Sequence, residues 1–534
     1  MKSALPIRTL TGLLLALPFM AGATDRQMAS EPSRTAPHAT PQWKLAAFPS
    51  RSYASMSYRE MSLQRLVRMQ QHNTTSRLKV TQIGIGRELS GEGISRTTPS
   101  LRWIALKDGG SVARLRITSP DALGIRVGLQ VSRLHPHVEL RFGGSDRPAD
   151  VVSAVTAGDA QRFADAQGMY WSPATDGATQ IIEIYRPAHV ATTLALLQAP
   201  QLSHLMANSG TGFKIIQKVG ESESCNFDTV CRVNELGPAF VQAKNAVAHM
   251  MFNIYSTGGA VLGTAMCTGT LLNDTTAATQ VPWFFSADHC FAGGENGIPV
   301  QDRAKVAASL NTYWSYENST CRGVLDATKG TPVTGGADLM FYDVATDAML
   351  LRLRNPAPAS ATFAGWDASA LPTNSPVIGI HHPSGDAKKV SQGHQVNLSG
   401  YPNSNSVGWV TGTTEQGSSG SGLFTLYGDG SYRLRGGLHQ GSASCANSGS
   451  IANPGNRDLY SRLDLVFPQI KQWIAADPVR ENGSQPLVRS SNSAVAQGQG
   501  ARTATPVIAT PAPTSTPAVR QRQATPLRGG TLER

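Results

Sequence analysis

All six cysteines of this 534-residue chain lie between Cys225 and Cys445. They mark off a central stretch from a cysteine-free region before it and a cysteine-free tail after it. An even count confined to one stretch predicts three disulfides formed in an oxidising compartment. The chain start agrees. Lys2 and Arg8 give a positive n-region, Leu10 to Met20 an apolar h-region, and Ala21-Gly22-Ala23 a small-residue cleavage site. Residues 1–23 therefore read as a signal peptide and the product as secreted and extracellular. The apolar run is too short to span a bilayer, and no later segment is an uninterrupted apolar stretch, so no membrane partner is expected. The rival use of the cysteines, a zinc site, lacks any Cys-x-x-Cys pair and is disfavoured by their dispersal.

The net charge of +11 is misleading. From Val219 to Ile474 there are 15 Lys+Arg against 19 Asp+Glu, so the excess positive charge lies outside the cysteine-bearing region. Nucleic-acid binding by that region is disfavoured, since it lacks the first requirement, a basic footprint.

Within it, Ala287-Asp288-His289-Cys290 is followed by Thr346-Asp347-Ala348-Met349-Leu350-Leu351, and then by Gly417-Ser418-Ser419-Gly420-Ser421. The chain order is His, Asp, Ser, the chymotrypsin-type order and not that of subtilisin or the α/β-hydrolases. A serine hydroxyl is a weak nucleophile until an imidazole takes its proton and a buried carboxylate fixes the imidazole tautomer. His289, Asp347 and Ser419 are the candidate catalytic residues. Asp347 is preferred to Asp338 and Asp343 because the apolar run after it would bury it on a strand. Asp288 reads as a solvated loop residue. The backbone N–H groups of Gly417 and Ser419 are the candidate oxyanion hole. A Cys267–Cys290 bridge would close a short loop ending at the candidate base.

The pattern along the chain is mostly β. Residues 24–80 are polar and read as poorly packed. From Leu101 apolar residues alternate, as in Ala113–Ile117, Ile125–Leu129, Val138–Phe142 and Ile181–Tyr185, which predicts antiparallel strands. Beyond Cys225 short apolar runs separated by turn residues predict a barrel or sandwich, closed by a helix over Val466–Ile474. After about Ala475 the composition is that of a disordered tail. No phosphate-binding glycine frame and no metal-ligand cluster stand out in the linear sequence, so no cofactor is expected.

Larger pieces carry a resemblance. They are Cys225-Asn226-Phe227-Asp228-Thr229-Val230-Cys231, the Ala287-Asp288-His289-Cys290 loop, and the run from Trp314 to Cys321. With them go Ala364-Gly365-Trp366-Asp367, Ile380-His381-His382-Pro383, Gly417 to Ser421, Leu438-His439 ahead of Cys445, and Asn456 to Arg462. The region from about Gly220 to Ile474 resembles the bacterial lysyl endopeptidases, chymotrypsin-like serine proteases made with a long propeptide. The resemblance implies an all-β fold of two six-stranded antiparallel barrels with a C-terminal helix, behind a mostly β pro-region. It implies the pairings Cys225–Cys445, Cys231–Cys321 and Cys267–Cys290, whereas spacing supports only the last. The implied organisation is a signal peptide over 1–23, a propeptide over 24–218, a protease domain over 219–476 and a tail over 477–534.

Specificity also rests on the resemblance. The position six residues before Ser419, acidic in trypsin-like enzymes, is Thr413. The family instead places its lysine-selecting aspartate ahead of a Tyr-x-Arg, which here is Asp458. Glu415 is the second candidate, and an ion pair of Asp458 with Arg457 or Arg462 is the structural alternative. His439 matches a family histidine at the substrate cleft; its aromatic partner falls where this chain is shortened, with Tyr401 nearby. Trp409, His381 and His382 read as structural. Ser418 stands where vertebrate-type zymogens carry an activating aspartate, so activation would mean leaving of the pro-region. The reading is a monomeric serine endopeptidase acting after lysine in protein substrates, with its own propeptide as partner and self-cleavage after Lys218 giving Val219 as the mature start. The alternatives are a trypsin-like Arg/Lys specificity on the same fold, and a non-catalytic secreted binding protein on a protease fold.

Overall fold

The computed structural model describes residues 26–475, apart from 38, 76–78, 90–97, 207, 209–221, 277, 295–297, 324 and 326–329, together with 489–490. The signal-peptide reading, the Lys218–Val219 boundary and nearly all of the tail lie outside the described residues. Arg489 and Ser490 pair with Phe341 and Tyr342.

The cysteine-bearing region is a chymotrypsin-like pair of β units. The second unit is a closed barrel. Going round it, Pro376–His381 pairs with Lys389–Gln395, then follow Ser404–Thr411, Asp458–Ser461, Tyr432–Gly441 and Gly422–Leu426, which returns to the first. The first unit runs Asn311–Trp314, Val247–Tyr255, Val261–Leu272, Trp283–Ser286, Ala348–Leu353 and Ala337–Asp343. Its two outer strands do not pair, so it is a curled half-barrel and not the closed one expected. Within it, Val261–Leu272 shares one edge between two partners: Trp283–Ser286 at Thr270–Leu272, and a strand of the N-terminal region, Thr81–Glu88, at Gly263–Met266.

Inward side chains of the strands fill the units, and the closing helix Leu463–Ile474 buries Leu463, Val466, Phe467, Ile470 and Ile474. Pro468 lies inside that helix. It sits in the second turn, where its missing N–H interrupts the helix ladder. No helix among the described residues is long and apolar enough to cross a membrane.

The N-terminal region folds as two sheets over a shared core. Ser111–Thr118 pairs with Thr179–Arg186, which pairs with Glu139–Gly144; Gly124–Gln130 pairs with Gln198–Leu205, which pairs with Thr81–Glu88. Alternation explains the core: Leu115 and Ile117 point in with Val127, Leu129, Leu140, Ile182 and Leu202. On the opposite face of its strand Arg126 is buried and donates to Asn253 Oδ1 and the Ser309 carbonyl at 3.3 and 2.7 Å, tying this region to the half-barrel.

Residues 24–80 depart from the poorly packed segment expected. Gln27–Met28 and Glu31–Pro32 pair with Gly365–Asp367 and Thr362–Phe363, between the two β units. Ala54–Ser57 joins the first N-terminal sheet, and Leu63–Thr75 is helical. Two-residue pairings leave no periodic trace in a sequence, so polarity alone gave the wrong reading.

Candidate active site

His289 begins a single helical turn, His289–Ala292, directly after the strand Trp283–Ser286. Cys267–Cys290 fastens that turn to the strand Val261–Leu272. Asp347 is the last residue of the turn before Ala348–Leu353 and adopts a left-handed φ of 57°. Its carboxylate receives the His289 backbone N–H at 2.8 Å on Oδ1, and Oδ2 lies 2.7 Å from His289 Nδ1. His289 Nε2 is 2.7 Å from Ser419 Oγ. One carboxylate thus fixes both the position of the histidine backbone and the tilt of its ring. An imidazole held this way can take the hydroxyl proton and return it to a leaving group.

Ser419 sits in the turn before Gly422–Leu426. Its carbonyl accepts from Thr268 N at 2.8 Å, and Thr268 Oγ1 donates to the Gly417 carbonyl at 2.9 Å. Gly417 has φ 91°, and a Cβ there would stand 2.8 Å from the His382 carbonyl oxygen, so only glycine fits. Ser418 Oγ lies 2.8 Å from His381 Nδ1, whose Nε2 is 3.0 Å from Ser391 Oγ. Burial, with Lys79 and Lys389 nearby, pushes His381 down to about 3. It is a neutral strut behind the loop.

Asp458 opens its strand fully buried. Its Oδ2 accepts from the Trp409 indole at 2.6 Å and from Thr414 Oγ1 at 2.7 Å. Its Oδ1 lies 2.8 Å from Lys79 Nζ. The same ammonium donates to Thr414 Oγ1, to the Thr414 carbonyl at 3.0 Å and to the Ala443 carbonyl at 3.4 Å. Above it, the N–H groups of Gly417 and Ser419 donate to the Lys79 carbonyl oxygen at 2.5 and 3.3 Å. Lys79 thus lies with its side chain in a pocket floored by Asp458 and its carbonyl beside Ser419.

The ion pairs weighed for Asp458 do not form. Arg462 pairs with Asp464 at 2.6 Å, and Arg457 donates to the Ile451 and Asn456 carbonyls. Glu415 is not in the pocket. It accepts from Glu223 N, Asn226 Nδ2 and Ser384 Oγ at 2.9, 2.5 and 2.7 Å, and burial holds its carboxyl above the usual range. Asp338 pairs with Arg352 and Arg354, while Asp343 accepts from Thr346 Oγ1 at 2.7 Å. Asp288, expected in solvent, is buried in a two-pronged pair with Arg303 at 2.5 and 2.8 Å. Its backbone is already helical, with φ −61° and ψ −42° at the start of the turn His289–Ala292. His439 stands beside the triad, with Nε2 3.9 Å from Asp347 Oδ2 and its ring 5.8 Å from that of His289. Tyr401 is exposed.

Disulfides join Cys225 to Cys445, Cys231 to Cys321 and Cys267 to Cys290. The first ties the start of the cysteine-bearing region to the loop carrying Ala443. Sequence reasoning missed Lys79, Trp409 and Thr414 as pocket residues. Thr414 stands beside the Thr413 position examined for an acid, which was the available signal.

Residues 219–461 match the family described as "Lysyl endopeptidase, C-terminal domain", and residues 57–206 that described as "Lysyl endopeptidase N-terminal domain". A "Lysyl endopeptidase" of Pseudomonas aeruginosa is 34% identical over 407 residues, spanning 74% of this chain and 81% of the relative. The chain belongs to the lysyl endopeptidase family. It is a serine endopeptidase. The cysteine-free β region carries the match to the family's N-terminal domain.

Proposed function

We propose that this chain is exported as a precursor and matures into an endopeptidase that cuts on the carboxyl side of lysine through an acyl-enzyme intermediate. Lys79 carries the reading on lysine: its ammonium is on Asp458 and its carbonyl oxygen on two N–H donors beside Ser419. Ser419 Oγ attacks the substrate carbonyl while His289 takes its proton, oriented by Asp347. The developing oxyanion is held by Gly417 and Ser419 N–H. His289 protonates the leaving amine, and a water activated by the same imidazole releases the acid. Asp458 selects the side chain, and His439 lines the cleft next to the triad. Residues 24–218 are the propeptide, 219–476 the protease, and cleavage after Lys218 frees it. The enzyme acts as a monomer on protein substrates.

The pocket chemistry favours lysine over arginine. Asp458 Oδ2 is already engaged by Trp409 and Thr414, which leaves Oδ1 for the substrate. One free oxygen suits a compact ammonium with three donors. It does not offer the two parallel acceptors that a guanidinium fork uses.

A peptide series differing only in the residue before the scissile bond tests this, run beside Ser419→Ala. Wild type should favour lysine over arginine by about a hundredfold in kcat/KM, and the variant should retain under roughly a thousandth of the activity. Equal rates on arginine would favour the trypsin-like alternative. No labelling of Ser419 by a fluorophosphonate would favour a binding protein.

A further inference from the structure

We propose that the bond between Lys79 and Val80 is a second self-cleavage site, cut by the chain's own active site while the N-terminal region is still folded on it. The inference rests on the lysine-directed reading above. Lys79 fills the pocket and its carbonyl lies in the donor pair, so its carbonyl carbon faces Ser419 Oγ, which His289 already engages at 2.7 Å. On the far side of the bond, Thr81–Glu88 adds as a strand to Gly263–Met266 of the half-barrel. This is how extended peptides are commonly gripped by a sheet edge. The segment is thus bound as a substrate on both sides of one bond.

Ser419 Oγ bonds to the Lys79 carbonyl carbon, the Lys79–Val80 C–N bond breaks, and the serine proton passes through His289 to the Val80 nitrogen. Water then cleaves the ester, giving a Lys79 carboxylate and restoring Ser419. What differs from an ordinary substrate is the leaving group. Val80 is anchored by a strand paired on one edge to Gly263–Met266 and on the other to Gln201–Leu205. Its amine stays beside the acyl carbon, and held reactants act at very high effective concentration. Re-formation of the peptide bond competes with water. The cut is therefore slow, and the cleft stays filled after it.

The full-length chain and its Ser419→Ala variant, purified before processing, test this by N-terminal sequencing over time at two concentrations tenfold apart. Wild type should yield a terminus reading Val80-Thr81-Gln82-Ile83, at a rate unchanged by dilution, and the variant none. Lys79→Gln should remove that terminus. A Val80 terminus in Ser419→Ala, or a rate that falls with dilution, overturns cleavage by the chain's own site. If the mature enzyme cuts lysine peptides but the Val80 terminus never appears, this proposal fails and the lysine reading stands. If lysine peptides are not cut at all, both fail.

A separate cluster supports a second inference. We infer that His135, His137 and His189 form a site for a borderline divalent cation such as zinc. The three side chains offer ring nitrogens all within 4.8 Å of one another on the surface of the N-terminal region. His137 Nδ1 and His189 Nε2 are 3.0 Å apart, close to the spacing of two ligands on a tetrahedral ion with bonds of about 2.0–2.1 Å. Two tight turns hold them. Val138 N donates to the His135 carbonyl across Pro136, and Val190 N to the Pro187 carbonyl. His137 N donates to His135 Nδ1 at 3.3 Å, which leaves Nε2 of His135 to ligate. Isothermal titration of full-length Ser419→Ala with zinc chloride should give one site per chain, and cobalt should give a tetrahedral visible spectrum. His189→Ala should weaken zinc binding by roughly a hundredfold, since even lesser losses around metal sites cost 10–100-fold. No stoichiometric binding, or equal binding by His189→Ala, overturns it.

Discussion

Asp458 is the only anion that meets the Lys79 ammonium among the described contacts of that side chain, the others being neutral oxygens. Asp458→Asn keeps the shape and the Trp409 neighbour but removes the charge. Truncating one member of a buried charge pair costs roughly 2–5 kcal/mol. On lysine peptides kcat/KM should therefore fall by at least ~30-fold, with far smaller change on an uncharged ester; an unaffected lysine rate would return Asp458 to a structural role. Trp409 acts on the same carboxylate from behind. Trp409→Phe frees an acceptor on Oδ2, and one charge-assisted hydrogen bond is worth ~1.5–3 kcal/mol. The arginine-to-lysine ratio of kcat/KM should rise by about tenfold. A fall in both rates at constant ratio would mean that the indole supports the fold and not the choice of side chain. His289 and Ser419 were legible because each lies in a short motif and their order is distinctive. Trp409 was not, because its tie to Asp458 crosses two strands 49 residues apart in the chain. Lys79 was not legible either, because nothing in a polar stretch distinguishes one lysine from the next.

At the scale of elements, three imidazoles are built into the seam behind the serine loop. His249 is pushed down to about 4 by burial, His381 to about 3, and His382 well below its ordinary value. His249 and His382 pack edge to face at 5.3 Å, with Tyr316 stacked on His249. All are neutral in the fold, whereas in the unfolded chain they take protons near 6.5. The folded state therefore keeps its full stability above about pH 6.5 and loses it as pH falls through 4 toward 3. Thermal melts of Ser419→Ala, which avoids self-digestion, should show Tm dropping steadily from pH 6.5 to 4. His249→Phe should flatten that slope, and an unchanged slope would shift the cause to other groups. The strands that alternation announced, such as Ala113–Ile117 within Ser111–Thr118, were readable because one face is core. The half-barrel's open side was not, because whether Asn311–Trp314 meets Ala337–Asp343 depends on tertiary placement that the alternation of neither strand encodes.

For the molecule as a whole, the N-terminal region supplies a strand, a buried arginine and a lysine to the catalytic unit. Pairings across such sequence separations are slow to find. Residues 219–476 refolded alone should therefore regain activity poorly, and residues 24–218 added in trans should raise the recovered yield by roughly an order of magnitude. Equal yields would mean that the region blocks without assisting. The contact between Thr81–Glu88 and Val261–Leu272 has another side. A Cβ on Gly263 would stand 2.1 Å from the Gly84 carbonyl oxygen, and one on Gly86 1.8 Å from that of Val261. The two backbones meet with no side chain between them. Without the N-terminal region, Gly263–Met266 would be a bare row of donors and acceptors, the kind of margin on which foreign strands add and proteins clump. On the proposed maturation, Thr81–Glu88 would keep that margin covered in the precursor, and its departure would leave the enzyme adhesive as well as active.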